Sequence, residues 1–185
     1  MFDAAFPPPE PYPGCQAVAG YIGGRTPHVW TLAEWQRFGR LRQLGIWVAD
    51  LRPGAPSARP QGQMAVRAAI ALGWRPFARH RRAIVIDMEL SEDAQFTADF
   101  AGEVRKGGFA CWPYGSKSAI YSDPAMDGYW VADWDLVAGL EKMPHAVAHQ
   151  YRAEVPFAGT KVDLSVLSGE GYARLGRGPR RLVAA

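Results

Sequence analysis

The stretch Ala83-Ile84-Val85-Ile86-Asp87-Met88-Glu89-Leu90 runs apolar residues into an acid, and a second acid follows two positions later. A short run rich in Ile and Val, preceded by the cationic Arg79-His80-Arg81-Arg82, predicts a strand buried on both faces. Strand side chains alternate, so Val85, Asp87 and Glu89 point the same way, with Cα atoms about 6.6 Å apart pairwise. Burying carboxylates without partners is costly, so packing alone does not call for two of them at a strand end. Close together they repel, which raises the pKa of one and leaves the other charged. That asymmetry suits glycoside cleavage, where one group donates a proton and the other acts as base or stabiliser. The alternative is that the strand has ended and both acids are solvated or paired with arginines such as Arg79 or Arg82.

The chain has 185 residues, enough for one domain with a full hydrophobic core. Its composition, 48% hydrophobic and 21% charged, is that of an ordinary soluble globular protein. The net charge of +3 is spread along the chain and is compatible with an anionic polymer without selecting one. No aromatic-interleaved basic motif of a nucleic-acid module occurs, so no nucleic-acid partner is expected. No apolar run reaches a membrane-spanning length, and the first residues are not followed by a signal-peptide core. Cys15 and Cys111 are far apart and are expected as free thiols. No nucleotide-binding glycine turn is present, and no cofactor is implied.

Three regions follow from the pattern: a proline-rich arm over 1–15, a barrel-like domain over 16–168 and a Gly/Arg-rich tail over 169–185. The prolines of Phe6–Pro13 predict an extended arm that supplies no strand. Gln16–Ile22 predicts a strand, and the Gly23-Gly24 pair after it permits close approach of a ligand. Thr31 with Glu34 predicts a capping box opening a helix to about Arg40. Gly45–Leu51 predicts a strand, Arg52–Pro60 a loop, and Gln61–Leu72 a helix. Ser91–Gly107 reads as the next helix, and Phe109–Tyr114 as a strand broken at Pro113. Tyr129–Trp134 is then a strand, Asp135–Leu140 a brief helix, and Ala146–Tyr151 and Lys161–Leu164 two late strands.

Strands alternating with helices, with acids and aromatics at strand ends, predict an α/β fold: a TIM-like β/α barrel, irregular, with fewer helices in its second half. A doubly wound open sheet is the competing fold.

Four segments in order resemble the family 25 glycoside hydrolases, the lysozyme-like muramidases. They are Ile84–Glu89 (IVIDME), Tyr114–Ser116 (YGS), Tyr129–Trp134 (YWVADW), and His149–Tyr151 (HQY) with Val162–Leu164 (VDL). With Gly20–Gly24 (GYIGG) and the Thr31–Trp35 helix start, the chain is most similar to an actinobacterial and phage branch of glycoside-hydrolase-like domains of unknown function. The resemblance implies Glu89 as proton donor, Asp87 as partner carboxylate, Asp163 as the last-strand aspartate and Gln150 as a substrate-binding residue. His149 replaces a tryptophan of that pattern. The first strand, where muramidases carry an aspartate, has Gly20-Tyr21-Ile22 instead. Asp50 or Asp133 is the candidate substitute.

The expected site is therefore Glu89, Asp87 and Asp163 as catalytic groups, with Tyr21, Asp50, Tyr114, Trp130, Asp133 and Gln150 binding substrate. His145 and His149 stand four apart, but in a strand that spacing separates them by about 13 Å, so no metal site is expected. Ser116 lacks a nucleophile-elbow context. Two functions are carried forward. One is a hydrolase of cell-wall peptidoglycan; the other is a catalytically weak or inactive barrel used to bind carbohydrate or to build a phage virion, self-associating through the arm. Absence of a signal peptide is consistent with a phage lysin, a virion protein or a cytoplasmic protein.

Overall fold

In the computed structural model, residues 1–77, 80–88, 93–120, 126–140 and 144–177 are described. Eight strands form the wall: β1 (Phe2–Asp3), β2 (Ala17–Gly24), β3 (Arg42–Val48), β4 (Ala83–Asp87), β5 (Ala110–Ser116), β6 (Tyr129–Ala132), β7 (Ala146–Phe157) and β8 (Thr160–Leu167). Each pairs with the next in sequence, and β8 pairs with β1, so the sheet closes into a barrel. Closure excludes the open doubly wound sheet. β1 to β7 run parallel, while β8 runs against both its neighbours.

Helices occupy the early crossovers: α1 (Leu32–Arg37), α2 (Ala58–Ala71), α3 (Ala94–Lys106) and the single turn α4 (Lys117–Ile120). The α1 capping box forms as expected, with Thr31 accepting from the Glu34 N–H and the Glu34 carboxylate accepting from the Thr31 N–H. α2 begins at Ala58, before the anticipated start, because Pro60 falls in its first turn, where a missing N–H costs nothing. The brief helix expected over 135–140 does not form, and that segment follows β6 as an irregular loop. β7 and β8 need no crossover. They are antiparallel and turn at Ala158-Gly159, both at positive φ, the conformation that matches strand twist in a two-residue hairpin.

β5 runs unbroken through Pro113, contrary to expectation. The N–H and C=O of Cys111 both face Asp127, on the β6 side, so the ring nitrogen and C=O of Pro113 face that side too. Pairing with β6 begins only at Tyr114, opposite Trp130, and the proline forfeits no ladder bond to β4.

The apolar residues of β4 divide between two cores. Ala83 and Val85 face the barrel interior with Ala19, Ile46 and Trp112. Ile84 and Ile86 face an outer layer with Trp35, Trp74, Phe100 and Val104 beneath the helices. This double burial explains the continuous hydrophobic run, each large side chain contributing about 1.5–3 kcal/mol.

Two expectations about the chain ends are corrected. The arm does supply a strand: Phe2 is fully buried, and β1 fills the gap between β8 and β2. Only the residues after it behave as an arm. They are held by a Trp30 indole N–H donated to the Ala5 carbonyl, by Phe6 stacked on His28, and by Tyr12 against Phe157. The tail is also integral up to residue 177. After α5 (Gly169–Ala173) the chain puts Leu175 into the interior core and adds β9 (Gly176–Arg177) to the start of β3. These residues plug the end of the barrel opposite the strand C-termini. Gly23 and Gly24 are needed for close packing within the sheet. A Cβ at Gly23 would strike the Trp47 ring, and one at Gly24 (φ +85°) would strike the Val48 carbonyl.

Candidate functional site

The C-terminal ends of the parallel strands form one mouth of the barrel, and alternation decides which side chains enter it. Asp87 ends β4 in phase with the interior residues Ala83 and Val85, and its in-register neighbour on β5 is Tyr114. The Tyr114 hydroxyl donates to Gln150 Oε1 at 2.7 Å, and the Trp134 indole N–H donates to the same oxygen at 2.8 Å. Gln150 Nε2 donates to Asp163 Oδ2 at 3.1 Å. The other carboxylate oxygen of Asp163 accepts the Glu154 backbone N–H at 2.6 Å. Glu154 sits at φ +56° in a bulge of β7 between Arg152 and Val155, and Asp163 secures that bulge.

Asp163 is in register with Asp3 of β1. The neighbouring pair, Phe2 and Leu164, belongs to the outer core, so Asp3 and Asp163 both turn inward. Asp3 thus supplies an acid on the first strand of the barrel, the position at which the sequence had none to offer within Gly20–Ile22. It was missed because two strand residues ahead of a proline-dense segment carry no periodicity. The only sequence signal is the acid itself beside a large apolar residue.

Burial pushes the Asp163 carboxyl above its ordinary value, aided by the nearby Glu154 charge and opposed by the two hydrogen bonds it accepts. A carboxyl of raised proton affinity beside other carboxylates is suited to acid–base chemistry. Among the described residues, no group of three or more His, Cys, Asp or Glu side chains is placed to hold a metal ion.

Several anticipated site residues take other roles. Trp130 is fully buried in the interior core, its indole N–H donating to Ser165 Oγ at 3.2 Å, so it lines no cleft. Gln150 is likewise buried and connects Tyr114, Trp134 and Asp163 with no surface left for substrate. Asp50 is held by a two-pronged pairing with Arg52, which pulls its carboxyl down to about 2. Asp133 is exposed beyond the end of β6. Neither replaces the first-strand acid. Tyr21 keeps the phase of Ala17 and Ala19 and packs at the edge of the interior core. Trp134, 58% exposed and fixed by Gln150, is the aromatic that the mouth presents. Glu89 and Arg79 lie outside the described residues. Arg82 lies at the start of β4, its guanidinium over the Trp74 ring, at the opposite end of the strand from Asp87.

No family model matches this chain. No curated protein matches it. A solved structure is similar: the 1.07 Å crystal structure of an uncharacterized B. stearothermophilus protein, with a TM-score of 0.71 at 15% sequence identity, covering 94% of this chain and 98% of that one. At that identity the likeness is one of fold alone.

Proposed function

We propose that this chain is a glycoside-hydrolase-like, muramidase-like domain that takes bacterial cell-wall peptidoglycan at the mouth of its barrel. The barrel is read as an irregular TIM-type barrel that has lost helices from its second half. The observation that carries the reading is the pairing of Asp3 with Asp163 at the end of the barrel where β4 delivers Asp87. In this reading Glu89 protonates the glycosidic oxygen. Asp87, Asp163 and Asp3 stabilise the oxocarbenium-like transition state or orient the acetamido group of the sugar. Trp134 offers a ring face to a sugar, and Tyr114 and Gln150 hold the carboxylates in place.

The test is reducing-sugar release from purified peptidoglycan. The wild type is expected to release sugar, and Glu89→Gln and Asp3→Asn to lose activity by about 100-fold or more. No release by the folded wild type removes the hydrolase reading.

One observation favours the alternative, a catalytically inactive barrel that binds carbohydrate or builds a virion. Both carboxylate oxygens of Asp163 are already engaged by the protein's own N–H groups. Cosedimentation with peptidoglycan without sugar release would select that reading.

A further inference from the structure

His149 is placed in mid-β7 between Val131 of β6 and Val166 of β8, and it is 2% exposed. Ala148 faces the interior, so His149 faces the outer wall of the barrel. There, where the earlier crossovers lay a helix, the irregular segment 133–140 lies over it. Nε2 meets the Asp133 carbonyl oxygen at 2.8 Å, and Nδ1 meets the Gly139 carbonyl oxygen at hydrogen-bond distance. A carbonyl oxygen only accepts, and a neutral imidazole carries one N–H and one lone pair. Both contacts are therefore hydrogen bonds only when both ring nitrogens carry hydrogen. Among the described residues of the loop, the charged group facing the ring is Asp135, with Oδ1 3.9 Å from Nε2. From β7 itself the titratable neighbour is Tyr151, with ring centroids 6.5 Å apart, and the flanking strands offer only valines.

The two carbonyls bracket the part of the loop that shapes the mouth. Between them lie Trp134, bonded to Gln150, and the exposed side chains of Leu136 and Val137. We propose that His149 is a proton-operated latch: the imidazolium clamps both ends of 133–139 to β7, and loss of one proton frees one end and loosens Trp134. A deprotonated ring sets a buried nitrogen lone pair against a carbonyl oxygen, and that contact opens because neither side can donate. The latch holds whichever ligand the mouth takes.

The experiment is nuclear magnetic resonance on the full chain at about pH 5 and about pH 8, the range in which histidine titrates. It reads the ring nitrogens of His149 and the exchange of the Leu136 amide, which donates to the Tyr151 carbonyl. Exchange is corrected for its intrinsic pH dependence, with the Val85 amide in β4 as an internal control. The expected result is two protonated ring nitrogens at the lower pH. Leu136 protection should fall at least tenfold at the higher pH while Val85 stays constant. In His149→Phe, Leu136 is expected to be weakly protected at both. A ring nitrogen without hydrogen at the lower pH, or wild-type Leu136 protection that ignores pH, overturns the latch. If His149→Phe fails to fold, the two wild-type measurements decide alone.

Discussion

Asp3 and Asp163 are in-register neighbours on antiparallel strands, and both face the interior of the barrel. Cα atoms so paired lie about 4.5–5.5 Å apart, and like charges directly opposite one another destabilise a sheet. By that repulsion a charge on Asp3 is expected to favour the protonated form of Asp163, beyond the effect of burial. Asp3→Asn is expected to shift the titration of the Asp163 carboxyl to lower pH. Carboxyl carbon resonances followed against pH check this. An unchanged or rising midpoint contradicts the pairing.

The raised proton affinity of Asp163 has a consequence for stability. Its folded-state value lies above the unfolded one, near 3.9, so the folded protein holds its proton longer as pH rises. Stability from this group is complete below the unfolded value and is lost as pH climbs through the folded value. The unfolding free energy of wild type relative to Asp163→Asn should therefore fall as pH rises above about 4. Urea denaturation at several pH values measures it, and a relative stability that rises with pH is the opposite result.

Gln150 is buried and joins three partners at once: the Tyr114 hydroxyl, the Trp134 indole and the Asp163 carboxylate. Gln150→Leu keeps the volume and removes these three hydrogen bonds, those to Tyr114 and Asp163 in the more buried surroundings. At about 0.5–1.5 kcal/mol for a neutral hydrogen bond and about 1.5–3 kcal/mol for one to a charged group, a loss of about 2–4 kcal/mol is expected by chemical denaturation. A loss below 1 kcal/mol would mean that the relay is not formed.

Phe2 is as buried as any residue of the chain and closes the outer core against Phe38, with ring centroids 5.8 Å apart. Truncating such a residue costs about 3–5 kcal/mol. For a domain of this size Phe2→Ala should lower the thermal midpoint by about 10 °C. Phe6→Ala, by contrast, removes an exposed ring and should move it by no more than about 2 °C. Equal effects of the two would return β1 to the arm.

The amino-acid sequence by itself determined the elements whose signals are local. β4 is legible because Ile and Val run without a break, and α1 because Thr31 and Glu34 stand three apart. Asp87 could be placed on the interior face because it keeps the phase of Val85. The tertiary structure alone decided which acids meet. Asp3 belongs to two strand residues without a period of their own, and they become a strand only because β8 and β2 leave a slot for them. Trp130 could as well have lined a cleft as filled the core, since a tryptophan in a strand satisfies either role; the hydroxyl of Ser165 settles it. The helix expected over 135–140 was overridden by two carbonyls turned to His149, and the loose tail by a leucine filling the open end of the barrel. Local order follows from neighbours along the chain, which the sequence displays. A closed barrel joins the first strand to the last, and the partners in that closure are set by packing between the two ends of the chain.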